Sequence, residues 1–292
     1  PLDFVLWKAK KDGEPGWKSP WGEGRPGWHI ECSVMSSRYL SNTIDIHAGG
    51  QDLQFPHHEN EIAQSECRNG HVFANYWMHN GYINVDGEKM SKSLGNFFTV
   101  REIAEKYDLG LVRFFLLSTH YRNPVNFSDT ILDQAKAGLE RLTNARDNAE
   151  FMMSKLEDTK MSPEETGLVD ELNSYKTKFI EAMDDDLNTS DAISAIFELA
   201  KFMNTNIKDT SSKEFIGLNI DLFNELTGVL NIANKSVEEN DDLARTVEEM
   251  IAKRAEAKKN KDFALADKIR EELLEMGIVI EDTRQGVKWK RK

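Results

Sequence analysis

Hydrophobic and polar positions alternate differently in the two parts of the chain. Over residues 1 to about 100 the apolar runs are short and bounded by Gly, Pro and other turn formers, the pattern of an α/β fold. Ile44-Asp45-Ile46-His47 followed by Ala48-Gly49-Gly50 reads as a short buried strand ending in a tight loop. Pro56 at the next boundary opens a helix expected over His57 to Cys67. Strand, glycine loop and helix in that order make a βα unit, and open α/β sheets bind ligands at the carboxyl ends of such strands.

From Thr99 onward the period becomes helical. Thr99 with Glu102 forms a capping box for a helix that turns Ile103 and Tyr107 inward. Ile131, Ala135, Leu139 and Leu142 recur at helical spacing, as do Leu168, Leu172, Tyr175, Phe179 and Met183, so both stretches are amphipathic helices of bundle type. A third, capped at Ser190, carries Ile193, Ile196, Phe197, Ala200 and Met203. These stripes read as core packing. A polar stretch from Asn234 to Asp242 reads as a linker. Beyond it the pattern predicts a helix through Val247, Ile251 and Arg254, and a second over Asp262 to Met276 ended by Gly277. A hairpin follows, in which Ile278-Val279-Ile280 and Val287-Lys288-Trp289 flank Arg284-Gln285-Gly286. The expected organisation is α/β followed by all-α: residues 1–100, a connecting segment 101–130, a helical bundle 131–235 and a small α+β unit 243–292.

Composition sharpens this picture. A length of 292 residues suits two or three modules, and 39% hydrophobic residues with 15 Phe and 6 Trp supply real cores, which excludes overall disorder. No run of about 18 uncharged apolar residues occurs, so no transmembrane helix is expected. Cys32 and Cys67 are too few for a disulfide framework and suit a reducing compartment. No basic-then-apolar leader points to secretion, and a cytoplasmic location is expected. The first residue is Pro1, from which the amino-terminal part of a longer protein is expected to be missing. The net charge of −13 is unevenly spread: residues 251–292 hold 12 Lys+Arg against 8 Asp+Glu, whereas residues 1–250 hold 25 against 42. An acidic body with a basic tail suggests an anionic partner met locally.

Four strings carry candidate chemistry. Lys89-Met90-Ser91-Lys92-Ser93 sets two lysines three apart on a short loop, suited to gripping a polyphosphate, although composition alone would make it an ordinary exposed loop. Cys32, His57 and Glu61 are all competent zinc ligands, the last two on one helical face; spacing alone leaves a surface pair the commoner reading. His58, about 100° round that helix, need not join them. Arg25-Pro26-Gly27-Trp28-His29-Ile30-Glu31-Cys32 places an aromatic and a histidine where they can wall a small pocket or simply start a helix. Ala48-Gly49-Gly50-Gln51-Asp52-Leu53 lets a backbone approach a nucleotide, with an acidic residue for ribose hydroxyls, or forms a structural turn.

The five letters from Lys89 to Ser93 match the KMSKS signature of class I aminoacyl-tRNA synthetases without a mismatch. Together with Ser19-Pro20-Trp21-Gly22 through Cys32, Phe55-Pro56-His57-His58-Glu59-Asn60-Glu61-Ile62-Ala63-Gln64-Ser65, and Lys89 through Asn96, the chain resembles the cysteinyl-tRNA synthetase family closely. At the far end Lys261-Asp262-Phe263-Ala264, Ala266-Asp267, Ile269-Arg270 and Glu281-Asp282-Thr283, with Gly286 and Trp289, resemble the family's carboxyl-terminal unit.

The resemblance implies a fold, a reaction and a set of roles. The fold is the second half of a Rossmann-type class I catalytic domain, then a helical bundle, then a small anticodon-binding unit. The reaction joins cysteine to its tRNA through a cysteinyl-adenylate, with ATP and magnesium as substrate and one zinc ion per chain. Cys32, His57 and Glu61 occupy three of the four family zinc positions, and zinc that takes the substrate thiolate explains rejection of serine. Trp28 and His29 match residues around the bound amino acid. Gly50 and Asp52 fall at the ATP ribose, and Lys92, with Lys89, at the transferring phosphates. The family's HIGH signature and its first zinc cysteine are absent, so the isolated chain is expected to be inactive in adenylate formation.

The basic tail offers Arg254, Arg270 and Arg284 to phosphates, along with Lys258, Lys259, Lys261, Lys288, Lys290, Arg291 and Lys292, and Trp289 to an unpaired anticodon base. A solvated face is the plainer reading for most of these lysines. The expected partners are the cysteine tRNA, cysteine and ATP, with no membrane and a monomer when intact. The rival readings are an ATP-dependent ligase joining cysteine to an amino sugar, a non-catalytic tRNA-binding paralogue and, more distantly, a zinc hydrolase.

Overall fold

The computed structural model describes residues 3–233, 241–283 and 286–291. Two units divide the chain: one runs up to Lys106 and resumes at Thr119–Leu132, and the other comprises Tyr107–Ser118 and everything from Asp133.

The first unit is α/β. Strands β1 (Trp7–Ala9), β2 (Trp17–Ser19) and β3 (Gly22–Pro26) form an antiparallel sheet in the order β1-β3-β2. Helix α1 (Ile30–Tyr39) leads to β4 (Ile44–Gly50), helix α2 (Glu59–Asn69) and β5 (Ala74–Asn80). β4 and β5 pair in parallel, from Ile44 opposite Ala74 to Gly50 opposite Asn80, so β4-α2-β5 is a βαβ unit. Ile44, Phe73 and Ala74 are buried at its start, with Ile62 and Trp77 against them. A third sheet joins β6 (Ile83–Val85) to β7 (Glu88–Lys89) and, in parallel, to β8 (Val125–Phe127). Asp86 and Gly87 both have positive φ, at 50° and 87°, so β6 and β7 meet in a primed hairpin turn.

Two expectations change here. The strand runs through Gly49 and Gly50, and a short 3₁₀ turn at Gln51–Leu53 follows it. Gly49 serves close approach, because a Cβ there would lie 2.9 Å from both His58 Cε1 and Leu53 Cδ1. The helix expected from His57 begins at Glu59, since Gln54–His58 form a π-helical turn; such wide turns recur at functional sites.

The Thr99/Glu102 capping box is present, with Thr99 N–H donating to Glu102 at 2.6 Å, and starts α3 (Val100–Ala104). That helix stops short of Tyr107. Asp108 is extended and its carboxylate accepts from the N–H groups of Gly110 and Leu111, which starts a new helix, α4 (Leu109–Leu117). α4 belongs to the second unit and buries Leu111, Phe114 and Phe115.

The remainder of that unit is helical as far as the last hairpin: α5 (Asp129–Met153) from Asp133 on, α6 (Pro163–Asp184), α7 (Thr189–Asn206) and α8 (Lys213–Leu230). Its core contains Phe114, Leu142, Phe179, Ile196, Met203 and Phe223, and the sequence stripes in α6 and α7 face it. The cap of α7 is Asn188 rather than Ser190: its side chain accepts from Asp191 N–H at 3.1 Å, a bond that a cap two residues later would forgo. Glu165 does double duty, accepting from Ser162 N–H at the start of α6 and from Ser212 N–H at the start of α8, both at 2.8 Å.

Helices α9 (Asp241–Lys259) and α10 (Phe263–Glu275) and the antiparallel strands β9 (Ile278–Thr283) and β10 (Gly286–Arg291) follow. Val247, Ile269, Leu273, Ile278 and Ile280 are their core, and Gly277 ends α10 with φ 75°. Most of the expected linker and the hairpin's turn, Arg284 included, lie outside the described residues. Among the described residues no helix is long and apolar enough to cross a membrane.

Candidate active site

The site forms where α1, the carboxyl end of β4 and the π-turn before α2 converge. Glu61, in the first turn of α2, is 5% exposed. Its Oε2 lies 2.8 Å from His47 Nε2, yet the oxygen has no well-directed donor and stays without a hydrogen bond. Burial alone would raise this carboxyl; contacts with His47, His58 and the Cys32 thiol outweigh it and hold it below the usual carboxylate value. Glu61 is therefore a buried anion in close contact with the His47 ring. The Cys32 thiol is pushed up, first by burial and then by the neighbouring Glu61.

Trp28, His29 and His57 stand beside this pair. The His29 and His57 rings meet edge to face at 4.9 Å, and Trp28 meets His57 at 5.9 Å. Trp28 is 75% exposed, so it walls an open space instead of filling a core. Burial and then His57 lower the His29 pKa, which favours a neutral ring.

His58 does join the cluster. His47, His58 and Glu61 are three donor side chains whose ligand atoms lie within 4.8 Å of one another, whereas Cys32, His57 and Glu61 are not gathered that closely. His58 keeps helical dihedrals, φ −66° and ψ −37°, and its ring faces His47 and His79 while the His57 ring faces Trp28 and His29. His58 Nδ1 and His79 Nε2 lie 2.8 Å apart, one donating to the other. Burial lowers the pKa of both rings, and His47 adds to the effect. The sequence reading missed His47 and His79. Their signal was their place on adjacent parallel strands, three residues and one residue short of the carboxyl ends that face ligands in such sheets.

The lysine loop projects from β7. Lys89 Nζ lies 3.8 Å from Asp52 Oδ2 and 3.9 Å above the Tyr82 ring, while Lys92 Nζ lies 5.4 Å from the Phe97 ring. Asp52 Oδ1 would be 2.6 Å from a Cβ on Gly50, so only glycine leaves that carboxylate its position. The structure thus brings Gly50, Asp52 and Lys89 together.

The basic tail is less uniform than its composition suggests. Arg254 is 4% exposed, and its two terminal nitrogens grip both oxygens of Asp282 at 2.8 and 3.0 Å. It faces inward and is not offered to a phosphate, because burial demanded a carboxylate partner and Asp282 supplies it. Lys258 shares that carboxylate at 2.9 Å. Arg270 is exposed. Trp289 packs on the small core and lines a cavity of about 720 Å³ with Asn144, Asn148, Phe151 and Ile251. That cavity is large enough for a nucleobase.

Three family descriptions match successive parts of the chain. Residues 1–137 match the family described as tRNA synthetases class I (C) catalytic domain, residues 178–234 the DALR domain and residues 240–289 the cysteinyl-tRNA ligase anticodon binding domain. All of the chain aligns, at 67% identity, with 62% of a protein named Cysteine--tRNA ligase from Clostridioides difficile strain 630. It aligns at 55% identity with 61% of one of the same name from Lachnospira eligens. The chain thus spans about three-fifths of the length of these relatives. Among solved structures, the LeuRS in a ternary complex with tRNA and LeuAMS from Agrobacterium radiobacter K84 shares the fold, with a TM-score of 0.58 at 18% identity over 76% of this chain and 34% of that one.

Proposed function

We propose, from the premise that the chain belongs to the cysteinyl-tRNA synthetase family, that it carries the cysteine-, phosphate- and tRNA-binding parts of an enzyme that ligates cysteine to its tRNA. The reaction belongs to the whole protein. Cysteine's carboxylate attacks the α-phosphate of ATP, giving cysteinyl-adenylate and pyrophosphate, and a terminal adenosine hydroxyl of the tRNA then takes the cysteinyl group, releasing AMP. The anticodon-binding match favours tRNA over an amino sugar as acceptor. We place the enzyme in the cytoplasm and read it as a monomer.

The observation that carries this reading is the grouping of the Trp28, His29 and His57 rings at the amino end of α1, beside the buried Glu61. A thiol, an imidazole and a buried carboxylate are a donor set whose chemistry fits zinc. Cys32, His57 and Glu61 would hold the ion, with a fourth ligand as in the family. Bound there, zinc supplies a soft Lewis acid that takes a thiolate in preference to a hydroxyl. Trp28 and His29 would bound the amino acid and exclude water. Asp52 would accept from ribose hydroxyls, with Gly50 leaving room for it. Lys92 and Lys89 would meet charge growing on the phosphates, catalysis being mainly positioning and electrostatic. Arg270 and Trp289 would contact tRNA, and Arg284 is proposed with them from its sequence position.

Zinc quantification on the purified chain tests the site. Cys32→Ser and Glu61→Gln should each lower bound zinc, and full retention by both would sink the assignment. Deleting residues 245–292 should weaken tRNA binding far more than ATP binding; unchanged tRNA affinity would count against the acceptor.

A further inference from the structure

The lysine loop is closed from the inside by one side chain that no assigned role covers. Asn96 follows the loop, half-buried, and uses both ends of its amide. Its Oδ1 accepts from Ser91 N–H at 2.9 Å and its Nδ2 donates to the Lys89 carbonyl at 3.3 Å. The backbone reaches this position through Gly95, whose φ of 69° puts it in the left-handed region. Inside the closed loop, Ser91 Oγ accepts from Leu94 N–H at 3.3 Å and caps the single 3₁₀ turn Lys92–Leu94. Lys89 is thus fixed at its carbonyl, and Lys92 begins a turn whose cap is held by the same amide.

We propose that Asn96 is the positioning residue of the lysine pair: its amide sets the distance and orientation between Lys89 and Lys92, so that a polyphosphate meets two cations already in place. Preorganised charge avoids the ordering cost that two free lysines would incur on binding. The geometry also requires an amide, since one end must accept and the other donate. Aspartate keeps only the acceptor, and alanine keeps neither. This inference rests on the reading of Lys89 and Lys92 as phosphate ligands.

Two measurements on the full chain separate the inference from that reading. The first is the rate of tryptic cleavage after Lys89 and Lys92 without nucleotide, followed by mass spectrometry. Asn96→Ala should raise it roughly five- to thirtyfold, as expected for one or two lost hydrogen bonds, and Asn96→Asp less. The second is pyrophosphate binding by calorimetry, where Asn96→Ala should weaken affinity severalfold and Lys92→Ala more. If Asn96→Ala is cut and binds like the unaltered chain while Lys92→Ala loses affinity, the positioning role is wrong and the phosphate reading stands. If the unaltered chain does not bind pyrophosphate, or Lys89→Ala and Lys92→Ala bind it unchanged, the phosphate reading fails and the proposal with it.

Discussion

Arg113 donates its Nε–H to the carbonyl of Leu230 at 2.7 Å, joining positions 117 apart in sequence. Leu230 ends α8, where the last carbonyls have no partner of their own. Asn231 turns the chain with φ 52°, and Arg146, almost fully buried, donates to the carbonyl of Ala233 just beyond. Two arginines from α4 and α5 therefore complete one helix end. Arg113→Met should cost the bundle about 1 kcal/mol by leaving Leu230 unpaired, read as a lower urea midpoint at constant slope. An unchanged midpoint would show that water replaces the guanidinium at no loss.

The Glu165 carboxylate that caps two helices makes the same bundle acid-sensitive. Burial opposes its charge, but hydrogen bonds from Ser162 and Ser212 outweigh burial and hold its pKa below the ordinary value. A carboxyl depressed in the folded state stabilises fully above its unfolded pKa, about 4.3, and that contribution fades as pH falls below it. Glu165→Gln should cost about 1–2 kcal/mol at pH 7, with the deficit shrinking below about pH 4. Urea titrations at both pH values would check this, and a deficit independent of pH would refute the electrostatic part.

Gly49→Ala should damage the site while sparing the bundle. Its Cβ would strike the His58 ring and Leu53, and His58 is buried against His79 with little room to yield. A cost of about 1–3 kcal/mol from overpacking is expected, with reduced zinc retention and no change in helical content. Normal zinc content in the variant would show that His58 can move freely.

Asp282 is the carboxylate on which the last unit depends. Hydrogen bonds from Arg254 and then Lys258 hold its pKa well below the usual range. The sign is again that of a depressed acid: the pair stabilises above about pH 4 and is lost on acidification. Asp282→Asn leaves Arg254 buried without its counter-charge. Because Asp282 itself is half exposed, the loss should be about 1–2 kcal/mol, below that of a fully buried pair. Hydrogen exchange confined to α9, α10 and the hairpin would show it.

The helices were legible because their stripes are local. Leu172, Tyr175 and Phe179 are spaced for one face, and that face is the core. Thr99 and Glu102 announced their capping box through four adjacent residues. The site was legible only in part. Cys32, Glu61 and Trp28 stood out as types, but His47 and His79 acquire meaning only when two strands pair across 30 residues of chain. The inward turn of Arg254 was invisible for a similar reason, since its partner lies 28 positions away. Where Pro56 led to a regular helix being expected from His57, a π-turn over Gln54–His58 precedes it, and the His58 ring meets that of His47.

The separate burial of α4 has a topological consequence. The chain leaves the first unit after Lys106, deposits Phe114 in the core of the second, returns for Thr119–Leu132 and leaves again. A single nick between residues 119 and 132 would therefore not release the two fragments from each other. The amino-terminal piece would still own a helix embedded in the other's interior, pinned by Arg113 on Leu230 and by the Thr189 hydroxyl on the Leu117 carbonyl. The covalent path thus enters the second unit twice, once for α4 and once for everything after Leu132.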